Sequence, residues 1–333
     1  MARASRRTHD QGFVLCVCCL VPVAAGAAVI RHATIDWPGR PGLRVHYTRA
    51  APQVAPPPHR VSTSESPSSS AAPRSASGGD ASPLVCLPGF GVGTFHFTAQ
   101  LEQLGIEREA YALDWLGQGE SWPVDDEAER GLRYDADLWR EQLEAFLDSV
   151  LDGRPAILVG NSLGGYIAVQ LALKRPELVR GLVLLNPTPI WSFAPPARDV
   201  GALRPFGWDA TLPAPRVPFL IGSTWFHTLR DPRTIATMLG AVYADKRAVA
   251  RTSNRLDDAR TAGVGGEDSL PEAIARAASK RGGHAAFTSI LFSPRTETSF
   301  EAALEALSAL KSPPPIALLY GREDPRRMSS THS

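Results

Sequence analysis

Gly160-Asn161-Ser162-Leu163-Gly164 lies between the apolar run "AILV" at 156–159 and "GYIAVQLAL" at 165–173. A serine flanked by glycines in this way, between a buried strand and a helix, forms a nucleophile elbow. The sharp turn holds the serine in a strained conformation, and the small neighbours let strand and helix approach each other. The Oγ then projects from the top of a sheet at a helix N-terminus, where the helix dipole and open N–H groups favour developing negative charge. Ser162 is therefore expected to be the nucleophile of an acyl transfer. The other reading is a glycine-rich structural turn, and the strand and helix patterns on either side weigh against it.

A tetrahedral oxyanion needs two N–H donors. Leu163, just after the nucleophile, can supply one. The second is expected from the loop after an earlier strand, "LPGFGVGTFHF" at 87–97, with the Phe90 N–H as candidate. His96 in that loop precedes the elbow by a long stretch and reads as a pocket residue rather than the base. "LDWLGQGES" at 113–121 follows another strand, and its Asp114 reads as structural. The acid that orients the base should follow a later strand. "PIALLYGREDP" at 315–325 offers Asp324, with Glu323 as the near alternative.

These residues need a scaffold, and short aliphatic runs at 43–50, 83–90, 109–115, 156–161, 181–187 and 315–321 supply its strands. Helices fall between several of them. At 137–151, Leu138, Leu143, Phe146, Leu147 and Val150 share one helical stripe, and a second helix follows the elbow and stops near Pro176. Strands alternating with helices predict an α/β fold: a mostly parallel sheet covered on both faces.

Residues 1–33 begin with Arg3, Arg6 and Arg7, continue as an apolar run from Gly12 to Ile30, and carry small residues at "VAAGAA". They read as a targeting segment or a membrane anchor. Residues 51–82 are rich in Pro, Ser and Ala and read as a disordered insertion between two early strands. A net charge of +1, with no basic stripe and no Cys/His zinc spacing, argues against a nucleic-acid partner and a structural metal. Three of the four cysteines, Cys16, Cys18 and Cys19, sit in the leading segment. That leaves Cys86 in the body with no disulfide framework. No cofactor motif is present, and oligomeric state is not legible.

The residues together resemble the α/β-hydrolase superfamily and, within it, the pheophytinases, plastid esterases of chlorophyll breakdown. "DWPGRPGLRVHYTRA", "LPGFGVGTFHFTAQLEQLG", "ALDWLGQGES", "DLWREQLEAFLDSVL", "GNSLGGYIAVQLA", "LLNPTPIWSF" and "LLYGREDP" carry the resemblance over residues 36–325. It implies a hydrolase domain at 34–325, with a lid at 187–313 and a small hydrophobic ester, a pheophytin-like phytyl ester, as substrate. Trp191 and Phe193 would line the pocket beside His96, and "FTSILFSP" at 287–294 would pack the lid onto the site. It also implies plastid localisation, the alternatives being the secretory pathway or a membrane anchor, with residues 12–30 or a lipid-phase substrate as the membrane link.

The resemblance also calls for a histidine after one more strand, whereas the chain ends "GREDPRRMSSTHS". Residues 326–333 read as an unrelated tail, and His227, His284 and His332 are poor substitutes for the base. The expectation is a C-terminally truncated domain without its catalytic histidine, poorly folded or nearly inactive as written. It would be a shortened form of an active esterase, a non-catalytic chlorin- or lipid-binding form, or a hydrolase with a relocated base. A general lipid or acyl esterase of the same fold stays open. An aspartate-nucleophile dehalogenase is disfavoured by the serine.

Overall fold

A computed structural model describes residues 28–52, 82–187, 207–243, 269–293 and 299–321, except for the side chains of residues 241 and 242. Its strands are β1 (Ala28–Asp36), β2 (Arg44–Pro52), β3 (Leu84–Leu87), β4 (Ala110–Leu113), β5 (Ala156–Asn161), β6 (Val179–Leu185) and β7 (Ile316–Leu319). They form one sheet in the order β1-β2-β4-β3-β5-β6-β7. β1 and β2 form an antiparallel pair that joins β4 antiparallel, and the rest of the sheet is parallel. The expected α/β architecture is observed.

The "LVCL" of β3 is buried on both faces, which explains its unbroken apolar run. Burial pushes the Cys86 thiol up to about 12 and leaves it unreactive. The β3–β5 register pairs Leu87 with Gly160. The loop after β3 and the turn after β5 therefore leave the same edge of the sheet, side by side, where ligands of parallel sheets bind.

Helix α1 (Thr98–Leu104) follows that first loop, and α2 (Asp126–Glu129) is a single turn. In α3 (Ala136–Val150) the Asp135 carboxylate caps the helix by accepting from the Leu138 N–H, and Leu138, Leu143, Phe146 and Leu147 are buried. Helix α4 (Leu163–Lys174) is apolar nearly all round because it is covered nearly all round. It packs on the sheet, on α3 and on a late helix. Pro176 keeps it from continuing.

Four helices fall in the region expected to be the lid: α5 (Arg216–Leu229), α6 (Pro232–Val242), α7 (Leu270–Ala278) and α8 (Gly283–Phe292). α5 lies against α8 so closely that a Cβ on Gly222 would overlap the Thr288 side chain. The lid is stitched to the body around Tyr134. The Tyr134 N–H donates to Ser289 Oγ at 2.9 Å, Ser289 Oγ donates to the Ala210 carbonyl at 2.7 Å, and Ser293 Oγ donates to the Tyr134 carbonyl at 2.9 Å.

Three expected boundaries shift. Residues 28–33, expected in the leading segment, pair with β2 as the first part of β1, because their alternating residues match its register. Residues 51 and 52, expected in the insertion, end β2. Helix α9 (Phe300–Ser308), expected within the lid, buries Phe300, Ala303 and Leu307 in the body core, with the Phe300 ring 6.4 Å from that of Tyr166 on α4. Residues 1–27, 53–81, Trp191, Phe193, Glu323, Asp324 and the tail at 326–333 lie outside the described residues. Among the described residues β7 pairs with β6 alone, and all four of its residues are exposed.

Candidate active site

Ser162 has φ 50° and ψ −113°, a region costly for a residue with a side chain. Such strain persists only where the surroundings impose it. Here the Ser162 N–H donates to the Leu185 carbonyl of β6 at 3.0 Å, and its own carbonyl accepts from the Tyr166 N–H at 3.1 Å. The glycines make the turn possible by contact. A Cβ on Gly160 would lie 2.5 Å from the Gly165 backbone, and one on Gly164 would overlap the Leu87 carbonyl of β3. Strand, turn and helix are thus packed backbone to backbone, and the serine sits at their apex.

Gly89 brings the loop after β3 over the nucleophile: a Cβ there would be 3.5 Å from Ser162 Cβ. Three side chains after β4 fix this loop. The Trp115 indole donates to the Pro88 carbonyl at 2.8 Å, Gln118 Oε1 accepts from the Gly91 N–H at 2.5 Å, and Asp114 Oδ1 accepts from the Thr94 N–H at 2.5 Å. Phe90 is therefore carried on a rigid strap beside Ser162. Leu163, the first residue of α4, has no carbonyl one helical turn behind it. The structure brings Ser162, Leu163 and the Phe90 loop together. Of the other sequence-predicted groups, Asp324, Trp191 and Phe193 are not among the described residues, and His96 is.

Asp114 is a hub. Its carboxylate, only 2% exposed, also accepts from the Glu120 N–H at 3.0 Å and pairs with His46 Nδ1 at 2.7 Å. The His32 ring stacks on His46 at 5.6 Å. His46, Trp115 and Gln118 were not distinguished by sequence reasoning. The only local signal was the dense "DWLGQGES" loop, whose partners lie far off in the chain.

His96 occupies a 3-10 turn, Thr94–Phe97, beyond the strap. The residue retains some exposed surface, but its imidazole is enclosed: Nδ1 is buried without a hydrogen-bond partner, and desolvation lowers its pKa. His284 packs its ring 4.2 Å from that of Phe219 and 5.7 Å from that of Phe226, inside the lid. Desolvation, then the charge of His227, lowers its pKa, against a hydrogen bond with the Phe219 backbone. His227 is exposed on α5. Among the described residues no histidine hydrogen-bonds Ser162. Nor is there a cluster of His, Cys, Asp or Glu able to hold a metal ion.

A cavity of about 200 Å³ opens between strap and lid. Phe90, Gly91 and Gln118 wall it from the body, and Phe226, Met238 and Phe287 are among its lid residues. His96 does not line it.

Comparison with known proteins agrees with this architecture. The sequence profile of the alpha/beta hydrolase family matches residues 84–330. The chloroplastic pheophytinase of Arabidopsis thaliana is 33% identical over 326 residues, covering 90% of this chain and 58% of that protein. A 1-acylglycerol-3-phosphate O-acyltransferase of Rattus norvegicus is 34% identical over 145 residues, 41% of this chain and 38% of that protein. The chain thus spans less than two thirds of the length of these curated relatives. Among solved structures, the Cif epoxide hydrolase of Acinetobacter nosocomialis superimposes with a TM-score of 0.51 at 16% identity, over 87% of this chain and 73% of that one, a likeness of fold. With a strained serine at the strand–helix apex and the family profile covering β3 to β7, the chain belongs to the alpha/beta hydrolase family.

Proposed function

We propose that the chain is a serine carboxylic-ester hydrolase acting on a pheophytin-like phytyl ester, with phytol as the released alcohol. The backbone of Ser162 carries this reading: no structural turn needs a serine at φ 50° and ψ −113°, whereas an elbow nucleophile does. Ser162 Oγ attacks the ester carbonyl, and the resulting oxyanion accepts from the Phe90 and Leu163 N–H groups. Collapse expels the alcohol, and water then releases the acid from the acyl-enzyme. The likeness to a chloroplastic pheophytinase supports the pigment ester and a plastid setting, and it alone suggests a preference for the metal-free pigment.

The serine proton needs an acceptor, and Asp324 is the proposed acid that orients it. Among the described residues no histidine reaches Ser162, and a serine without its base turns over slowly. The same observation favours a second reading, a chlorin- or lipid-binding protein that keeps the pocket without the chemistry. Leu220 and Trp225, exposed on α5, suit a ligand drawn from a lipid phase; no helix among the described residues is long and apolar enough to cross a membrane. Incubation with pheophytin and with a p-nitrophenyl acyl ester, followed by chromatography, separates the readings. Phytol release lost in Ser162→Ala supports the first, turnover of the acyl ester alone supports a general esterase, and pigment bound without turnover supports the binding protein.

A further inference from the structure

The lid cavity is lined mainly by apolar residues, with Gln118 as a neutral polar group on the body side. Arg230 is the only charged residue lining it among the described residues. Its backbone N–H ends α5 by donating to the Phe226 carbonyl at 3.0 Å, and its guanidinium carbon stands 5.4 Å from the Phe226 ring centroid. Phe226 is itself a buried cavity wall. One face of the guanidinium is thus satisfied by the ring, while its N–H edges keep their capacity for an anion. Among the described residues no carboxylate pairs with it. The adjacent Asp231 carboxylate is committed to capping α6, accepting from the Thr234 N–H at 3.0 Å.

A cation at a helix C-terminus is favourable in any protein. That accounts for a solvent-facing arginine; Arg230 is instead partly buried in the wall of a mainly apolar cavity and has no carboxylate partner among the described residues. Size narrows the occupant. At about 200 Å³ the cavity is below the range of roughly 300–1,000 Å³ for sites that enclose a whole drug-sized ligand, which suits an alkyl chain.

We infer that the lid cavity binds an anionic amphiphile, its alkyl chain among Ile235, Met238, Ile274 and Phe287 and its anionic head on Arg230. A phytyl ester carries no such head and Ser162 does not line the cavity, so this ligand is an additional one beside the ester site. That role rests on the ester-hydrolase reading; the binding does not.

The test is titration calorimetry of the full chain with dodecanoate, dodecyl phosphate and dodecanol, for the wild type, Arg230→Gln and Met238→Trp. Wild type should bind the two anions about tenfold more tightly than the alcohol, the scale of one charge-assisted contact. Arg230→Gln should lose that advantage while binding dodecanol unchanged, which also shows that the cavity is intact. Met238→Trp should weaken all three. Whichever anion gains more identifies the head as carboxylate or phosphate. Equal binding of anion and alcohol by the wild type, no binding at all, an undiminished advantage in Arg230→Gln, or equal loss of all ligands in that variant would each overturn the inference. Binding is read without turnover, so intact anion binding beside absent ester hydrolysis would count against the hydrolase reading alone.

Discussion

Replacing Asp114 by alanine removes one carboxylate and orphans three donors: the Thr94 N–H, the Glu120 N–H and His46 Nδ1. A buried donor left without a partner costs about 1–3 kcal/mol. Thr94 is buried, whereas Glu120 is exposed and His46 keeps some contact with water, so the first loss counts in full and the others in part. With the partial losses taken at about half, the sum is about 2–6 kcal/mol. Asp114→Asn retains one acceptor oxygen and should cost about half as much. Urea unfolding measures both, provided the slope with denaturant is unchanged between variants. The Thr94 bond also anchors the strap carrying Phe90, so any esterase activity should fall together with stability. A loss below about 1 kcal/mol in Asp114→Ala would refute the hub. Full stability with abolished activity would instead make Asp114 a participant in the chemistry.

Gly164→Ala places its Cβ on the Leu87 carbonyl, and backbone cannot rotate away, so a cost of about 3 kcal/mol or more in urea unfolding is expected. Ser289→Ala leaves the buried Tyr134 N–H unpaired and should destabilise by about 1–3 kcal/mol, whereas Lys280→Ala breaks an exposed pair with Glu120 and should change stability by less than about 1 kcal/mol. Reversing that order in thermal melts would mean that surface charges hold the lid down. Burial lowers the pKa of His96 from 6.5, so as pH falls below 6.5 the unfolded chain takes up a proton that the folded chain refuses. Stability is therefore lost on acidification, and His96→Phe should flatten that slope in unfolding curves collected across pH.

The elbow was legible because its logic is local: five consecutive residues state the turn, and the flanking runs state strand and helix. The α3 stripe was legible for the same reason: Leu138, Leu143, Phe146 and Leu147 are buried, and Val150, at the helix end, is partly buried. β1 was hidden because its first residues continue an apolar run and carry no boundary of their own. α9 was placed in the lid because it follows the lid in sequence, although its apolar face fits α4. The Asp114 hub was not legible as a network, since His46 and Thr94 are 68 and 20 residues away and only the sheet brings them to it; Glu120 lies in its own loop. The cavity combines Phe90 with helices more than a hundred residues further on, so its shape followed from no single motif.

The central claim is that Ser162 is a nucleophile poised by its backbone, with no histidine bonded to it among the described residues. Treating the chain with an alkyl fluorophosphonate, with and without imidazole, and mapping the adduct by mass spectrometry tests it directly. Attack by Ser162 Oγ forms the P–O bond, fluoride leaves, and imidazole takes the proton. The account predicts an adduct on the Ser162 peptide that grows with imidazole and is absent from Ser162→Ala. An adduct on another serine, or no Ser162 adduct at any imidazole concentration, would contradict it.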